Sequence, residues 1–187
     1  MGIGIIIILI VVGILVLLVL YGIGTYNSLV VLRNRVQDQW AQIDVQLKKR
    51  FDLIPNLVET VKGYAKHEKE TFENVIKARN TFVNTSSPED HMAADGELTK
   101  TLGRLFALAE NYPELKANTN FQQMQEDLKY VETSIAAART FYNDTVLMLN
   151  NRIQVFPSSI IANMFKFQLG TFFSVAEAER ENIKVKF

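Results

Sequence analysis

The chain opens with an uninterrupted apolar run that differs from everything after it. Residues 3–23 are almost entirely Ile, Leu, Val and Gly, and no charged side chain occurs within this run. A helix rises about 1.5 Å per residue, so roughly 20 residues cross the ~30 Å hydrocarbon core of a bilayer. The pattern predicts one transmembrane helix, with Ile3, Ile10, Leu17 and Ile23 as representative anchor positions.

A buried core helix and a cleaved signal peptide are the alternatives for this run. A core helix is rarely so purely aliphatic over such a length. Gly22-Ile23-Gly24 offers the small residues of a cleavage site, but the apolar run is too long for a signal peptide and no basic segment precedes it. An anchor is therefore the favoured interpretation.

Basic residues flank the apolar run on one side only. Arg33 and Arg35 follow it, whereas no Lys or Arg comes before it. Cytoplasmic flanks of membrane helices carry an excess of Lys and Arg. We therefore expect a single-pass protein with its N-terminus outside and the remaining chain in the cytoplasm, with Arg33 and Arg35 determining this topology.

Beyond residue 27 the apolar residues recur at steps of three and four, which is one stripe of an amphipathic helix. The first such helix is predicted from about Ser28 to Phe51, continuing from the anchor. Asp52-Leu53-Ile54-Pro55 is typical of a stop and restart, because proline disfavours a helical residue before it but fits a first helical turn. We expect a hairpin there and a second helix from Leu57 to Phe82, weakened at Gly63. A kinked continuous helix is the alternative.

Two further helices follow from their start and stop signals. Ser87-Pro88 is a good N-terminus, and Asn111-Tyr112-Pro113 ends that third helix. Asn118-Thr119-Asn120 opens a fourth helix that extends to Ile153. The predicted fold class is all-α: an N-terminal transmembrane helix, then an antiparallel up-and-down four-helix bundle with a short C-terminal tail. A long helical stack similar to a spectrin repeat is the alternative.

The predicted division is an anchor at residues 1–26, a helical bundle at 27–155 and an apolar tail at 156–187. Phe156-Pro157 ends the fourth helix, and the residues after it are too apolar for a solvated tail. Packing beneath the bundle is one explanation, and a contact with a second subunit or the membrane is another. The alternation at residues 183–187 is typical of a short strand. The candidate self-association residues are Ile160, Ile161, Phe165, Phe172, Phe173, Val185 and Phe187.

Composition excludes several classes of chemistry. The chain has 20 basic and 20 acidic residues, which argues against nucleic-acid binding because phosphate neutralisation requires a basic excess. It has no cysteine and two histidines, His67 and His91, neither preceded three positions earlier by Glu. Thiolate zinc sites and di-iron bundle sites are therefore not expected. We expect no catalytic residues, metal or cofactor.

The other charged residues are interpreted as surface groups. The run Lys48-Lys49-Arg50 is typical of a solvated helix end. The acidic residues at four further positions lie among basic neighbours and are interpreted as partners in helix-surface ion pairs. They are Asp44, Glu59, Asp127 and Glu132.

Long segments of the chain resemble the LemA family. The segments are YNSLV at 26–30, IDVQLKKR at 43–50, DLIPNLVETVKGYA at 52–65 and YPELKAN at 112–118, together with Trp40 and the Phe156-Pro157 break. The resemblance implies a bacterial protein with one N-terminal transmembrane helix and a helical bundle, with magnetosome-membrane relatives implicated in membrane organisation. It implies no enzymatic activity. Asn56, Lys62, Arg139 and Asn143 are recurrent polar positions of the family motif without a catalytic role.

Two functions from different classes follow as hypotheses. The first is a non-enzymatic scaffold in contact with membrane lipids, which forms a homo-oligomer and organises or remodels the bacterial inner membrane. The second is an adaptor or sensor that presents the bundle to a membrane-protein partner, such as a protease or a signalling protein. Self-association helps to separate them, since a scaffold should form a defined homo-oligomer, whereas an adaptor can remain monomeric.

Overall fold

A computed structural model describes residues 2–83 and 88–173, and in those residues every regular element is a helix. The predicted all-α class is therefore confirmed, whereas the antiparallel four-helix arrangement stays a prediction. The predicted strand at 183–187 lies outside the described residues. The helices are α1 (Gly2–Tyr64), α2 (Lys69–Val83), α3 (Pro88–Ala109), α4 (Pro113–Lys116), α5 (Thr119–Gln154) and α6 (Ser158–Met164).

The chain divides into two compact units, to which α1 and α5 both contribute. Of the described residues, unit 1 comprises 2–39 and 141–172, and unit 2 comprises 40–83, 88–140 and 173. The division expected from the sequence, at 1–26, 27–155 and 156–187, stays a prediction.

The predicted hairpin at Asp52–Pro55 is wrong, because α1 continues through Pro55 to Tyr64. Proline has no N–H to donate to the carbonyl four residues earlier, which is that of Phe51. The guanidinium of Arg79 on α2 compensates, since its Nε donates to the Phe51 carbonyl at 3.4 Å. A side chain from a neighbouring helix thus supplies the donor that the proline lacks.

The second predicted helix, from Leu57 to Phe82, is interrupted just after Gly63, its predicted weak point. Residues 65–68 form a turn there, in which the Glu68 N–H donates to the Ala65 carbonyl at 3.2 Å. The part up to Tyr64 belongs to α1, and the part from Lys69 forms α2.

The later helix boundaries agree with the sequence signals. Helix α3 begins at Pro88, and the predicted Ser87 cap lies outside the described residues. Helix α5 begins at Thr119 behind Asn118, whose Oδ1 accepts from the Phe121 N–H at 3.0 Å, an N-cap. Helix α4 has no counterpart among the predicted elements, and it places the fully buried side chain of Leu115 in unit 2.

Unit 1 has a small apolar core between α1, α5 and α6. Its buried members are Leu29, Leu149, Ile153 and Ala162, and Phe167 packs against them with further residues of α1. The segment that follows α6 in the sequence packs against α5. The Asn150 side chain donates to the Gly170 carbonyl at 3.0 Å and accepts from the Gly170 N–H at 2.8 Å.

Unit 2 has a larger core that draws on α1 to α5. Phe51 and Phe82 stack with ring centres 3.8 Å apart. The Asn118 amide donates to the Tyr64 hydroxyl at 2.9 Å, which joins the end of α1 to the start of α5. The fully buried apolar side chains include Ile43, Leu47, Ile54, Leu57, Val61, Val75, Leu98, Leu105 and Leu115.

Candidate functional site

The predicted anchor residues have exposed side chains on α1. Ile3, Ile10, Leu17 and Ile23 are 79%, 57%, 67% and 54% exposed, respectively. The most apolar 18-residue window of α1 has a mean hydropathy of 3.7 and contains no buried residue. By length and composition, this helix could cross a membrane. A core helix would have been covered, so the exposure argues against that alternative.

The two arginines expected to set the topology lie within α1. Arg33 places its guanidinium carbon 5.7 Å from the centre of the Phe167 ring. Arg35 is exposed. Neither side chain is buried in the described chain, so both charges are available to a membrane surface.

Helix α6 packs beside the C-terminal end of the apolar run. A Cβ added at Gly22 would lie 3.6 Å from Cδ1 of Ile161, and the Tyr26 and Phe165 rings have centres 4.6 Å apart. Between them lies an open groove of about 420 Å³ with almost entirely apolar walls. Its walls are Leu15, Leu18, Val19, Gly22, Ile23, Tyr26, Ile161, Met164 and Phe165.

The residues predicted for self-association fall into distinct environments. Ile160, Phe165 and Phe172 are 57%, 52% and 44% exposed, whereas Ile161 is half-buried. Phe173 is only 4% exposed. Its burial therefore needs no second copy of the chain. The remaining candidates, Val185 and Phe187, lie outside the described residues.

The burial of Phe173 comes from residues of unit 2. Its ring stacks with that of Trp40 at 6.1 Å between centres, and the Arg139 guanidinium carbon lies 4.4 Å from its ring centre. Such a cation–π contact contributes most where the charge is shielded from water.

Unit 2 contains a buried network of charged residues that the sequence analysis did not identify. Arg50 is 1% exposed and donates from Nη1 to Oδ1 of Asp95 at 2.5 Å. Its Nη2 donates to Thr99 Oγ1 at 3.1 Å and is paired with Glu132. The second oxygen of Asp95 accepts from Arg139 Nη2. Two arginines and two carboxylates from α1, α3 and α5 therefore neutralise one another.

The interpretation of Lys48-Lys49-Arg50 as a solvated helix end is wrong for its last member. Lys48 and Lys49 are exposed, but Arg50 lies on the apolar stripe, three residues after Leu47 and four before Ile54. This spacing was the available signal, because a charged residue at a stripe position must find a buried partner.

The same signal applies to Asp95 and to Arg139, the second arginine that Asp95 binds. Asp95 precedes Leu98 by three residues, and Arg139 follows Ile135 by four, so both lie on the apolar stripes of their helices, Asp95 buried and Arg139 with 20% of its side chain exposed. Glu132, expected to form a surface pair, pairs instead with Arg50, although its side chain is 45% exposed. Glu59 does form the expected kind of surface pair, with Lys62 at 2.9 Å.

A cavity of about 430 Å³ adjoins the network between α3 and α5. Its walls are mostly apolar, and Arg50 and Glu132 reach its edge with their charges directed at each other. Among the described residues, no group of three His, Asp or Glu side chains is placed to hold a metal ion. The lining comprises Arg50, Thr99, Leu102, Gly103, Phe106, Gln125, Leu128, Lys129, Glu132 and Thr133.

Comparison with known proteins gives a family and several relatives. The LemA family profile matches residues 39–187. Protein LemA of Metamycoplasma hominis is 24% identical, and the match covers 86% of this chain and 74% of that protein. Magnetosome proteins are also similar: MamQ 2 of Paramagnetospirillum magneticum is 25% identical and MamQ of Magnetospirillum gryphiswaldense 24%. Each match covers 79% of this chain but only 64% of the relative, just under two thirds. With four fifths of its length matched by the family profile, the chain belongs to the LemA family.

Proposed function

We propose that this protein is a non-enzymatic scaffold of the bacterial inner membrane, anchored by residues 3–23, with its helical domain in the cytoplasm. The observation that carries the proposal is the apolar surface of that segment, whose most apolar 18-residue window contains no buried residue. In water, a continuous surface of this size would drive aggregation, whereas a bilayer buries it. The magnetosome proteins among the relatives fit such a role, and we extend it to organising or remodelling the membrane.

The placement of the buried charges supports a structural role for the domain. Catalytic carboxylates and bases need a partner position left open to a substrate. Both oxygens of Asp95 accept from arginines, and Arg50 is held by two carboxylates and a threonine hydroxyl. This arrangement fixes three helices relative to one another within unit 2. We propose that these three helices, together with α2, form the antiparallel four-helix bundle expected from the sequence.

Self-association is the second part of the proposal, and α5 offers a surface for it. Phe141 and Met148 are 63% and 57% exposed, and Val155, directly after the helix, is 57% exposed. The three follow one another at steps of seven residues, the spacing at which side chains of one helix meet an identical partner helix. Phe172 of the tail adds a further exposed aromatic ring.

The mass of the full chain in mild detergent, measured by light scattering, tests self-association. We expect a defined homo-oligomer that dissociates when Phe141 and Met148 are both replaced by Ser. Tyr130→Ser is the matched control, because Tyr130 is 73% exposed on the same helix but off the seven-residue series. A monomeric intact protein would instead favour the adaptor hypothesis.

The adaptor or sensor function is favoured by one observation, the cavity beside Arg50. An apolar recess of about 430 Å³ with polar groups at its edge is the kind of surface that accepts a side chain of a partner protein. Gly103→Phe would fill this recess without altering Arg50. Loss of a co-purifying membrane protein with unchanged oligomer mass would support the adaptor.

Topology is tested by single cysteines, since the chain has none. The Lys69 side chain is 86% exposed in unit 2, and Lys69→Cys should resist a membrane-impermeant thiol reagent in intact spheroplasts. Gly2→Cys, at the opposite end of the anchor, should react. The reverse pattern would place the helical domain outside the cytoplasm.

A further inference from the structure

Helix α6 packs beside the C-terminal end of the apolar run of α1. Ile161 of α6 faces Gly22, with 3.6 Å from its Cδ1 to the position of a Cβ there, and Phe165 packs on Tyr26. If residues 3–23 span the ~30 Å hydrocarbon core, Gly22 and Tyr26 lie at its boundary. The side chains that contact them lie at that depth too.

The side of α6 that faces away from the core exposes two large apolar side chains beside the amide of Asn163. Ser158 and Ala162 are buried, and the Ser158 hydroxyl donates to the Val155 carbonyl at 2.8 Å. Ile160 and Met164 lie four residues apart and are 57% and 62% exposed. Just outside the helix, Phe156 and Phe165 are 76% and 52% exposed.

We propose that residues 156–165 form a second membrane contact, in which these exposed side chains enter the lipid leaflet around the C-terminal end of the anchor. This inference rests on the proposed membrane anchoring of residues 3–23. The occupant of the apolar surface is then phospholipid: acyl chains against Phe156, Ile160 and Met164, and headgroups beside Lys166. This distribution of residues is typical of a short helix that lies in the membrane–water interface with its apolar side chains directed into the bilayer.

The groove between α1 and α6 supports lipid as the occupant. Its volume of about 420 Å³ is bounded by the aliphatic side of α1 and by Ile161, Met164 and Phe165, and it is open to the surroundings of the anchor. An acyl chain of the same leaflet fills such a groove without losing hydrogen bonds, whereas water would meet few polar partners there.

The charges of unit 1 favour a membrane surface with anionic lipids. In residues 1–39 and 141–172, the basic residues are Arg33, Arg35, Arg152 and Lys166, against the acidic Asp38 and Asp144 only. Each basic residue close to an anionic surface contributes about 1 kcal/mol of attraction. Phosphatidylglycerol headgroups are therefore suited to the rim of the α6 contact.

Depth-dependent quenching on the full-length chain tests the contact. Single cysteines at Ile160 and Met164 carry an environment-sensitive fluorophore, in vesicles of phosphatidylcholine and phosphatidylglycerol. We expect quenching by lipids with a nitroxide near the glycerol region. Quenching by aqueous iodide should be about fivefold weaker than for the same label at Asn151, an exposed polar position on α5.

A label at Val12, in the middle of the apolar run, separates the two proposals. If the Val12 label responds to deep lipid nitroxides and the Ile160 label responds only to iodide, the anchor stands and the α6 contact is overturned. If the Val12 label is itself accessible to iodide, the proposed membrane anchoring fails. Shielding at Ile160 from iodide without quenching by any lipid nitroxide would assign α6 to a protein contact and overturn the lipid assignment.

Discussion

Arg50 on α1 and Asp95 on α3 form a salt bridge in which each side chain is 2% exposed, with 2.5 Å between Nη1 and Oδ1. The same carboxylate also accepts from Arg139 on α5. One acidic residue therefore joins three helices of unit 2. Its removal would leave two arginines, one of them fully buried, without their shared counter-charge.

Replacing Asp95 with Asn should strongly destabilise the protein. The amide has nearly the same shape but no negative charge, and breaking a buried ion pair from one side costs about 3–5 kcal/mol. We expect the urea midpoint of the detergent-solubilised chain, followed by circular dichroism, to fall accordingly. Glu97→Gln is the control, because Glu97 pairs with Lys100 at 3.8 Å on the surface and should change stability by less than about 1 kcal/mol.

Equal effects of Asp95→Asn and Glu97→Gln would contradict the structural importance of the network. A large loss in Asp95→Asn that is recovered when Arg50 is also replaced by Met would support it. An apolar side chain of similar length removes the uncompensated charge at the same time.

The network illustrates where sequence reasoning stopped. The stripe Ile43, Leu47, Ile54, Leu57 was sufficient to predict a helix, because helical periodicity is local. Which charged residue completes a buried stripe and which partner neutralises it depend on helix–helix contacts over 45 residues of separation, as between Arg50 and Asp95. No local pattern contains that pairing.

Pro55 illustrates the opposite kind of error. Proline is a strong local signal for a helix end, but the core on both sides of it is continuous: Ile54, Leu57 and Val58 are all buried. The apolar burial on one helix outweighs the missing hydrogen bond, which Arg79 partly replaces from α2. The stop at Asn111-Tyr112-Pro113 and the start at Asn118 were predicted correctly, since the end of α3 and the cap of α5 agree with their local signals.

The backbone of the segment that follows α6 should be held in place by the Asn150 side chain. Its side chain makes two hydrogen bonds to the backbone of Gly170, so Asn150→Ala removes both and leaves backbone groups unpaired, at a cost of about 1–3 kcal/mol. We expect faster amide hydrogen exchange in residues 167–173, measured by mass spectrometry. Asn151→Ala, at the exposed neighbouring position, should leave exchange in this segment unchanged. Unchanged exchange in Asn150→Ala would mean that other contacts hold the segment.

Lys166 is a position where glycine should stabilise the protein. Its φ of 55° lies in the left-handed region, and its N–H donates to the Asn163 carbonyl at 3.1 Å. Phe167 donates to the Ala162 carbonyl at 2.9 Å, which completes a Schellman motif behind α6. Lys166→Gly should therefore stabilise by about 0.5–1 kcal/mol, because glycine adopts this conformation without steric cost.

Thermal melting of the variants checks this prediction. Lys166→Ala removes the same charge but keeps the Cβ, so it should show no gain. Equal melting temperatures for Lys166→Gly and Lys166→Ala would assign the effect of the position to charge rather than to backbone conformation.

Pro55 and Arg79 should be energetically coupled through the Phe51 carbonyl. In Pro55→Ala, the new N–H can bond to that carbonyl within α1, and the helix should gain stability, because an interior proline costs about 3 kcal/mol. Arg79→Met removes the guanidinium donor while keeping most of the side-chain length. Loss of this hydrogen bond, which at 3.4 Å is a long one, should destabilise the natural sequence by about 0.5–1 kcal/mol.

In the Pro55→Ala background the Phe51 carbonyl no longer depends on Arg79, so the cost of Arg79→Met should be smaller. Urea denaturation of the two single variants and the double variant gives the coupling energy directly. Additive effects would mean that the Arg79 contact does not replace the missing hydrogen bond, and that the continuity of α1 across Pro55 rests on apolar packing alone.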